Sequence, residues 1–468
     1  MAPHGRNDRN RGYLWAVCLT YVGLSLAYNA LTPIGESPDE IGHFEYVRLV
    51  ADQGRMPGAA DALWQGHQSP LYYGLEAAWA LTVQAASGCR IAGDDLPGRD
   101  NPGFPNLPDL NRFAHAGSER IAAWTCPVRS FHLLRLLSTA FTVPLILLTF
   151  GILRAAAPGA SHLVAAAGTI AALLPSHVAI SSMLNNDALV NLVIVATTYL
   201  VVTATTRGDS TALARATLLA VVGTTAKLSG LYLLGLVAVG ALWRRELASA
   251  LLRERAARAW LFAAGACTIF PVLILVRNLV EWGDPLAVGA LESNLLQLKA
   301  VGVYLPPPGM PHYYFVELPR LFLESLPVAF GAINFPLWEH FALTRWAVLA
   351  IAASVLLSGM LRDRWRAVER TPLVLLAAGF ALFLATYLFP GYRYRWLQVR
   401  YFFGQLPLLC LAMAIGLFTI WDLPRRLGLR VPDSVLVAIL YVALLVLNLL
   451  VLSEGVFGHL YRHVPAVP

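Results

Sequence analysis

The stretch that decides the fold is residues 13–48, "YLWAVCLTYVGLSLAYNALTPIGESPDEIGHFEYVR". It begins with an apolar run long enough to cross a membrane as a helix. Directly after that run come Glu36, Asp39, Glu40 and His43, in a chain that is only 13% charged. This concentration of ionisable groups at the end of a membrane helix predicts a reactive site at the membrane surface. The alternative is a solvated loop with an ordinary helix cap.

Apolar blocks of similar length recur along all 468 residues, which are 57% hydrophobic with a mean hydropathy of +0.59. A soluble protein of this length has a more even composition. The pattern therefore predicts an all-α polytopic membrane protein that forms a single transmembrane domain over residues 1–468. We expect about eleven spans. They are residues 13–33, 129–155, 160–182, 187–206, 212–225, 228–243, 258–281, 342–361, 372–389, 400–421 and 432–453.

The net charge of +7 does not indicate a nucleic-acid partner, because many arginines stand in short loops between apolar blocks. Clusters such as Arg244 with Arg245, or Arg425 with Arg426, are typical of cytoplasmic loops, where they also meet lipid headgroups. With eleven spans, these clusters lie inside if the N-terminus is cytoplasmic. The basic start of the chain then precedes a first retained helix, since no clean cleavage site for a signal peptide follows it.

Two long segments, 34–128 and 282–341, then lie outside as extracytoplasmic loops. The first contains an apolar piece, 67–88, which we expect to be an amphipathic helix at the interface, because a span there would invert every later loop. The second contains a Pro-rich piece and then residues 321–338, expected to be interfacial or re-entrant. Cys89 and Cys126 flank a polar part of the first loop and are expected to form a disulfide there.

Asp39 and Glu40 are the candidate catalytic residues. Pro38 suits the first turn of a short helix, whose dipole keeps carboxylates at its N-terminus ionised. An ionised carboxylate can take a proton from an acceptor hydroxyl. With His43 the pair could instead hold a divalent cation, although nothing in the sequence requires a metal or another cofactor.

Further candidate substrate-binding residues stand at the ends of later helices. Asn186 and Asp187 lie at an outer helix junction, where Asp187 could equally serve as an ordinary N-cap. Lys227 interrupts an apolar hairpin; a cation in a span costs roughly 2.5–3.5 kcal/mol, so a partner is expected unless it reaches the interface.

Arginines at the outer ends of helices are the candidate phosphate ligands. Arg277 and Asn278 end one span, where an arginine could also simply reach the interface. Arg393, Arg400 and Tyr401 follow in a later outer loop. Because arginines outside run against the charge bias of membrane proteins, they indicate a specific anion, and a guanidinium binds phosphate in a bidentate way.

Several motifs resemble the GT-C fold glycosyltransferases, which include protein O-mannosyltransferases, lipid A aminoarabinose transferases and bacterial relatives. The first loop carries "SPDEIGHFEYVRLVADQGRMP" at 37–57 and "HQSPLYYGL" at 67–75, which contains Tyr72. Five further pieces follow in the family's order. They are "LLRLLSTAF" at 133–141, "NNDAL" at 185–189, "AKLSGLYLL" at 226–234, "RNLVEWGDP" at 277–285 and "VRYFFGQLPLL" at 399–409.

This resemblance implies a polyprenyl-phosphate-linked monosaccharide as donor and transfer with inversion on the outer face of a bacterial inner membrane. By position, Asp39 matches the family's catalytic carboxylate with Glu40 beside it, Arg400 matches the arginine near the donor phosphate, and Lys227 matches the lysine of the inner hairpin. The insertion at 88–128 departs from the family. The acceptor, whether protein, glycan or lipid, and the sugar are not indicated.

Two other functions remain as alternatives. A transporter or flippase of a lipid-linked sugar would have charges near mid-membrane and repeated halves, and neither is visible in the sequence. A purely structural assembly subunit would tolerate Asp39→Asn. The enzyme hypothesis requires that Asp39 and Arg400 face each other in one cavity.

Overall fold

A computed structural model describes residues 4–89, 125–290, 309–326, 364–394, 398–426 and 431–453, with isolated short pieces between them. The order of the helices in its first half is simple. They are α1 (His4–Leu31), α2 (Glu40–Gln53), α3 (Leu71–Ser87), α4 (Cys126–Ala156), α5 (Ser161–Leu173), α6 (Pro175–Ser181), α7 (Asp187–Arg207), α8 (Ser210–Ala226), α9 (Tyr232–Trp243), α10 (Arg245–Arg253), α11 (Arg255–Cys267) and α12 (Ile269–Trp282).

The second half continues with α13 (Leu318–Ser325), which a π-helical turn at Tyr313–Glu317 precedes. Three long helices follow. They are α14 (Arg370–Tyr394), α15 (Leu406–Arg426) and α16 (Asp433–Leu450). Short 3-10 turns lie at Ala59–Asp61, Leu228–Leu231, Arg364–Ala367 and Val399–Gln405. The other described elements are the three-residue helical turn Met310–His312 and two antiparallel pairs of two-residue strands, Arg99–Asp100 with Phe113–Ala114 and Ala329–Phe330 with Phe335–Pro336.

The predicted all-α polytopic architecture is confirmed. Within the described residues, seven helices are long and apolar enough to cross a membrane, or nine if each of two bent pairs is one span. The count of eleven is not confirmed. Helices lie at ten of the eleven predicted spans, while 342–361 falls almost entirely outside the described residues. The helix α8, at 17 residues, is too short to be counted among the candidate spans.

One predicted span bends within itself, and a second bends at its end. The predicted span 160–182 bends by 47° between α5 and α6, because Pro175 cannot continue the hydrogen-bond ladder of α5 and instead begins α6. The second bend, of 103°, turns α9 into α10 at Arg244. Arg244 donates to the carbonyl oxygen of Thr205 at 2.7 Å, which ties this corner to the end of α7.

The buried side chains form two apolar clusters on either side of α4 and α7. One cluster joins α1, α5, α6, α15 and α16. The other joins α2, α3, α8, α9 and α14. The connection between α1 and α2, residues 32–39, passes from the first cluster to the second. Polar contacts with α4 hold this connection in place.

The strongest of those contacts is a buried ion pair between Arg135 of α4 and Glu40 of α2, both of whose side chains are 0% exposed. Nε and Nη2 of Arg135 donate to the two Glu40 oxygens at 2.8 and 2.7 Å. The remaining N–H groups donate to the carbonyl oxygens of Asn29, Thr32 and Pro33. Arg135 therefore fixes the end of α1 and the start of α2 with one side chain.

Arg135→Met is expected to destabilise the protein by about 3–5 kcal/mol, because it leaves the Glu40 carboxylate buried without its partner. The measurement is thermal unfolding in detergent. The matched control is Arg55→Met, which removes an arginine from an ion pair with Asp61 that is 48% exposed on the arginine side, and exposed pairs contribute at most about 1 kcal/mol. Equal melting temperatures for the two variants would contradict a structural role for the buried pair.

Candidate active site

The two adjacent carboxylates Asp39 and Glu40 point to different partners. Asp39 is the N-cap of α2 and has a φ of 66°, in the left-handed region that non-glycine residues rarely adopt. The backbone there turns Asp39 towards Arg400 and leaves Glu40 facing Arg135. Glu40 also accepts from the backbone N–H groups of Gly35 and Leu184, each at 3.0 Å. The catalytic role expected for Glu40 stays a prediction, and in this structure both Glu40 oxygens are engaged by these contacts.

Asp39, Asp187, Lys227 and Arg400 form the charged cluster. Nη2 of Arg400 donates to Oδ2 of Asp39 at 2.7 Å, and Nζ of Lys227 donates to Oδ1 of Asp187 at 2.9 Å. Nε of Arg400 lies 3.8 Å from Oδ2 of Asp187, which joins the two pairs. The structure thus brings Asp39 and Arg400 together, as the enzyme hypothesis requires.

The ends of several elements bring these groups together. Asp187 is the first residue of α7, and Lys227 is an extended residue between α8 and the next 3-10 turn. Arg400 lies in the 3-10 turn Val399–Gln405. That turn packs closely on α7, since a Cβ on Gly404 would come within 2.7 Å of the Ile194 side chain. Gly404 therefore allows Arg400 to approach Asp187.

Aromatic rings line the cationic side of the charged cluster. The Tyr401 ring lies 5.1 Å from Nζ of Lys227 and 5.0 Å from Cζ of Arg400, within the range of cation–π attraction. Arg400 also donates to the Tyr401 hydroxyl at 3.1 Å. Tyr387 packs on Tyr401 with the ring centroids 5.9 Å apart. Tyr401 was expected from the sequence, whereas Tyr387 was not, because it lies within an apolar helix.

Asp39 is the most accessible member of the charged cluster. Its side chain is 30% exposed, against 6% for Arg400, 17% for Lys227 and 8% for Asp187. Burial raises the pKa of Asp39, but the Arg400 charge and its hydrogen bond outweigh that effect and lower the pKa to about 2. Asp39 is therefore ionised at neutral pH and open to a ligand.

Two histidines flank Asp39 and are held neutral. Burial lowers the pKa of His43 to about 4, and it lowers the pKa of His67 to about 4 as well, although the nearby Asp39 charge acts in the opposite direction. Nδ1 of His43 lies 2.8 Å from the Tyr73 hydroxyl. The predicted ligand Tyr72 only meets the edge of the His43 ring, with centroids 6.3 Å apart. The neighbouring residue Tyr73 makes the hydrogen bond instead.

A loop over α2 adds a contact that the sequence did not indicate. Nε1 of Trp64 donates to Oδ1 of Asp39 at a long distance of 3.4 Å. The same loop continues to Gln68, whose Oε1 lies 3.5 Å from Nδ2 of the buried Asn186. Asn186 thus lies beside the charged cluster without joining it.

Three predicted ligands are placed elsewhere. Nη2 of Arg277 donates to the backbone carbonyl oxygens of Pro57 and Gly66, and Nη1 donates to Oδ1 of Asn278 at 3.3 Å. Asn278 is buried and donates to the Pro285 carbonyl oxygen at 3.2 Å. Substrate binding by these two residues stays a prediction, and in this structure both side chains brace loops. Arg393 lies in the last turn of α14, and its side chain is outside the described part of the chain.

The described residues contain no group of three or more His, Cys, Asp or Glu side chains that could hold a metal ion. The expected set of Asp39, Glu40 and His43 does not converge, because Glu40 faces Arg135. The structure joins Cys89 and Cys126 in a disulfide, with their Cα atoms 5.4 Å apart.

The charged cluster and a basic loop lie at opposite ends of one membrane-length helix. Asp187 begins α7 and Arg207 ends it; the helix has 21 residues, which gives a rise of about 30 Å. Arg244 joins the Arg207 end through its hydrogen bond to Thr205. About 30 Å is also the thickness of the hydrocarbon core of a membrane.

No protein-family model and no curated protein matches the chain. Among solved structures, ArnT from Cupriavidus metallidurans bound to undecaprenyl phosphate matches 96% of this chain and 74% of its own, at 14% identity and a TM-score of 0.47. AglB, an oligosaccharyltransferase from Archaeoglobus fulgidus, solved with an inhibitory peptide and a dolichol-phosphate, matches 97% of this chain and 56% of its own, at 13% identity and a TM-score of 0.48. The arabinosyltransferase EmbB from Mycobacterium smegmatis matches 94% of this chain and 37% of its own, at 14% identity and a TM-score of 0.42.

All three structures are GT-C fold glycosyltransferases, the superfamily that the sequence motifs resemble. The chain spans little more than half the length of AglB and just over a third of EmbB. Because all three TM-scores are under 0.5, these similarities give no information about the reaction of this protein.

His43→Gln is expected to weaken the dependence of stability on pH. The folded-state pKa of His43, about 4, lies below its ordinary value of 6.5, so between these values the unfolded chain binds a proton that the folded protein does not. Stability should therefore fall as the pH drops from 6.5 to 4, by at most about 1.4 kcal/mol per pH unit for one group. The Asp39 contribution is lost only lower, between its ordinary value of 3.8 and about 2.

The measurement is the melting temperature in detergent from pH 7.5 to pH 4.5, with the exposed histidine variant His162→Gln as the control. We expect a shallower decline for His43→Gln and an unchanged decline for His162→Gln. Parallel curves for all three proteins would show that His43 does not titrate as its burial requires.

Proposed function

We propose that this protein is a glycosyltransferase that moves a monosaccharide from a polyprenyl-phosphate carrier to an acceptor hydroxyl, with Asp39 as the catalytic base. The observation that carries the proposal is the 2.7 Å contact between Arg400 and Asp39 in a cluster that also contains Lys227. A phosphate leaving group needs cations, and an incoming hydroxyl needs a carboxylate. The charged cluster offers both within one site.

Arg400 is the proposed ligand of the donor phosphate. Within the part of the chain that the structure describes, its buried Nε has no hydrogen-bond acceptor, although Asp187 lies 3.8 Å away. A buried donor left without an acceptor costs about 1–3 kcal/mol, and a phosphate oxygen would satisfy it. Lys227, across the Tyr401 ring, would add a second positive charge.

Asp39 rather than Asp187 is the proposed base. Asp187 is nearly buried and engaged by Lys227, whereas Asp39 is the exposed member of the cluster. While Arg400 is bonded to it, Asp39 is a weak base with a pKa of about 2. A donor phosphate that draws the guanidinium away would raise the pKa of Asp39, so that the carboxylate becomes an effective base only when the donor is bound.

The proposed reaction is a single displacement. The acceptor oxygen attacks the anomeric carbon while Asp39 takes the hydroxyl proton. The bond from that carbon to the phosphate oxygen breaks, and its electron pair leaves with the polyprenyl phosphate, whose charge Arg400 and Lys227 stabilise. One displacement inverts the configuration of the anomeric carbon.

The reaction is proposed to occur on the outer face of a bacterial inner membrane. The Arg207 end of α7, where Arg244 is bound, carries the basic loop, and basic loops lie on the cytoplasmic side of membrane proteins. The charged cluster at the other end of α7 would then face the extracytoplasmic side.

Asp39→Asn is expected to lower kcat on the order of 10²–10⁴-fold, the usual contribution of a positioned base. Purified protein is supplied with radiolabelled polyprenyl-phosphate sugars and a periplasmic extract, and both labelled product and released polyprenyl phosphate are measured. Asp52→Asn, on an exposed site of the same helix α2, is the matched control and should retain activity. Undiminished transfer by Asp39→Asn would defeat the assignment of the base. If the intact donor instead crossed the membrane of vesicles without release of polyprenyl phosphate, the protein would be a flippase.

Arg400→Lys is expected to lower kcat by about 10²–10³-fold, the usual effect of removing one electrostatic contact to a developing charge. The variant keeps the positive charge but loses the fork of the guanidinium. The measurement is the same assay at saturating donor, with Arg364→Lys as control. Arg364 pairs with Asp422 at 2.6 Å, away from the charged cluster. Equal loss in both variants would show that Arg400 has no special role.

A further inference from the structure

The last turn of α12 holds a loop, residues 57–66, that carries Trp64 onto Asp39. We propose that Arg277 is a positioning residue for the reaction: through this 57–66 loop it fixes the orientation of the Asp39 carboxylate. The catalytic effect of Arg277 rests on the proposed function, whereas the contacts of Arg277 with the loop are a property of the fold.

Arg277 and Glu281 grip the 57–66 loop at three points. One guanidinium nitrogen of Arg277 donates to the carbonyl oxygens of both Pro57 and Gly66, the latter at 2.9 Å. Oε2 of Glu281 accepts the backbone N–H of Ala59 at 3.0 Å. Pro57 and Gly66 are the two ends of the loop, so the Arg277 side chain links these ends to each other. We call this arrangement of Arg277 with Pro57 and Gly66 the clasp.

Asp61 makes further contacts that brace the loop. Arg55 and Asp61 form a bidentate ion pair at 2.6 and 2.7 Å, and Asp61 accepts the backbone N–H of Gly58 at 2.7 Å. Gly58 packs against the Glu281 carboxylate, which would have to shift to make room for a Cβ there. Movement of the α12 end is therefore passed on to the whole loop.

The other side of the loop presses on α2 next to Asp39. A Cβ on Gly42 would come within 3.1 Å of the Trp64 ring and 3.0 Å of Gln65, so the loop and the helix are in close contact. From this position the Trp64 indole reaches Oδ1 of Asp39, while Arg400 holds Oδ2. Each carboxylate oxygen has its own donor, and together the two donors fix the plane of the carboxylate.

Loss of the clasp should affect turnover more than donor binding. When a donor phosphate draws Arg400 from Asp39, Trp64 is the remaining donor that keeps the carboxylate oriented. Without Trp64, the Asp39 carboxylate would adopt orientations from which it cannot take the acceptor proton. A poorly positioned catalytic group can lower the rate by about 10²-fold. Arg400 and Lys227 stand on elements other than the loop, so the donor KM should change little.

The first test is a double-mutant cycle in the transfer assay. We expect Arg277→Ala and Trp64→Phe each to lower kcat by about 10-fold or more with donor KM within about 2-fold, and the double variant to be no worse than Trp64→Phe alone. Arg277→Lys, which keeps one donor for the loop, should restore part of the loss. The control is Arg258→Ala, on the exposed surface of the adjoining α11. Additive losses, or a loss confined to KM, would overturn the transmission through Trp64.

The second test needs no activity. Hydrogen exchange of the backbone amides 57–66 and carbodiimide labelling of Asp39 are measured on the whole detergent-solubilised protein. Arg277→Ala should speed both, and Arg258→Ala neither. Unchanged exchange and labelling in a folded Arg277→Ala protein would refute the clasp. If the native protein transferred no sugar while Arg277→Ala exposed the loop and Asp39, the proposed function would fail and the clasp would stand.

Discussion

The arrangement of the site depends on the buried ion pair between Arg135 and Glu40. In a dry interior neither charge is tolerable alone, and each needs all its hydrogen bonds filled. Arg135 meets that demand with the Glu40 carboxylate and three carbonyl oxygens at the end of α1. This fixes where the chain leaves α1 and the angle at which α2 begins. Asp39, one residue before Glu40, is therefore placed by a contact in which it takes no part.

The charged cluster also pairs its buried charges, but unlike the Arg135–Glu40 pair it stays partly accessible. Its two acids and two cations balance one another, so the resting site is neutral although it is largely buried. The Arg135 pair is sealed, while Asp39 is still 30% exposed. A sealed pair can only hold structure. An accessible pair can exchange one partner for a ligand of the same sign: a phosphate that replaces Asp39 on Arg400 keeps the guanidinium paired and leaves the Asp39 carboxylate free to take a proton.

The parts that the sequence predicts well are those set by composition and by the cost of burying charge. Apolar length predicts the membrane helices, and the cost of burying a cation predicts a partner for Lys227, which Asp187 provides. The sequence does not predict the direction of Glu40, because neighbouring acids look equivalent until the positive φ of Asp39 separates them. The partner of Arg277 could not be predicted for a similar reason, because an arginine that binds carbonyl oxygens and one that binds phosphate have the same sequence context. Trp64 gave no signal, since its contact with Asp39 spans 25 residues and depends on a loop.

The number of spans was less predictable for a related reason. Hydropathy measures whether a segment is apolar but not whether it is straight, and the 47° and 103° bends occur inside or at the end of apolar blocks. Pro175 is visible in the sequence as a break, whereas the turn at Arg244 depends on its hydrogen bond to Thr205 in α7. Long-range contacts of that kind are absent from any local pattern.

The disulfide between Cys89 and Cys126 joins the end of α3 to the start of α4 with Cα atoms 5.4 Å apart. The 36 residues between them therefore leave and rejoin the protein at a single point. The disulfide therefore couples α3, which carries Tyr73, directly to α4, which carries Arg135. A change in the number of residues between the two cysteines would not lengthen the shortest covalent path between these helices.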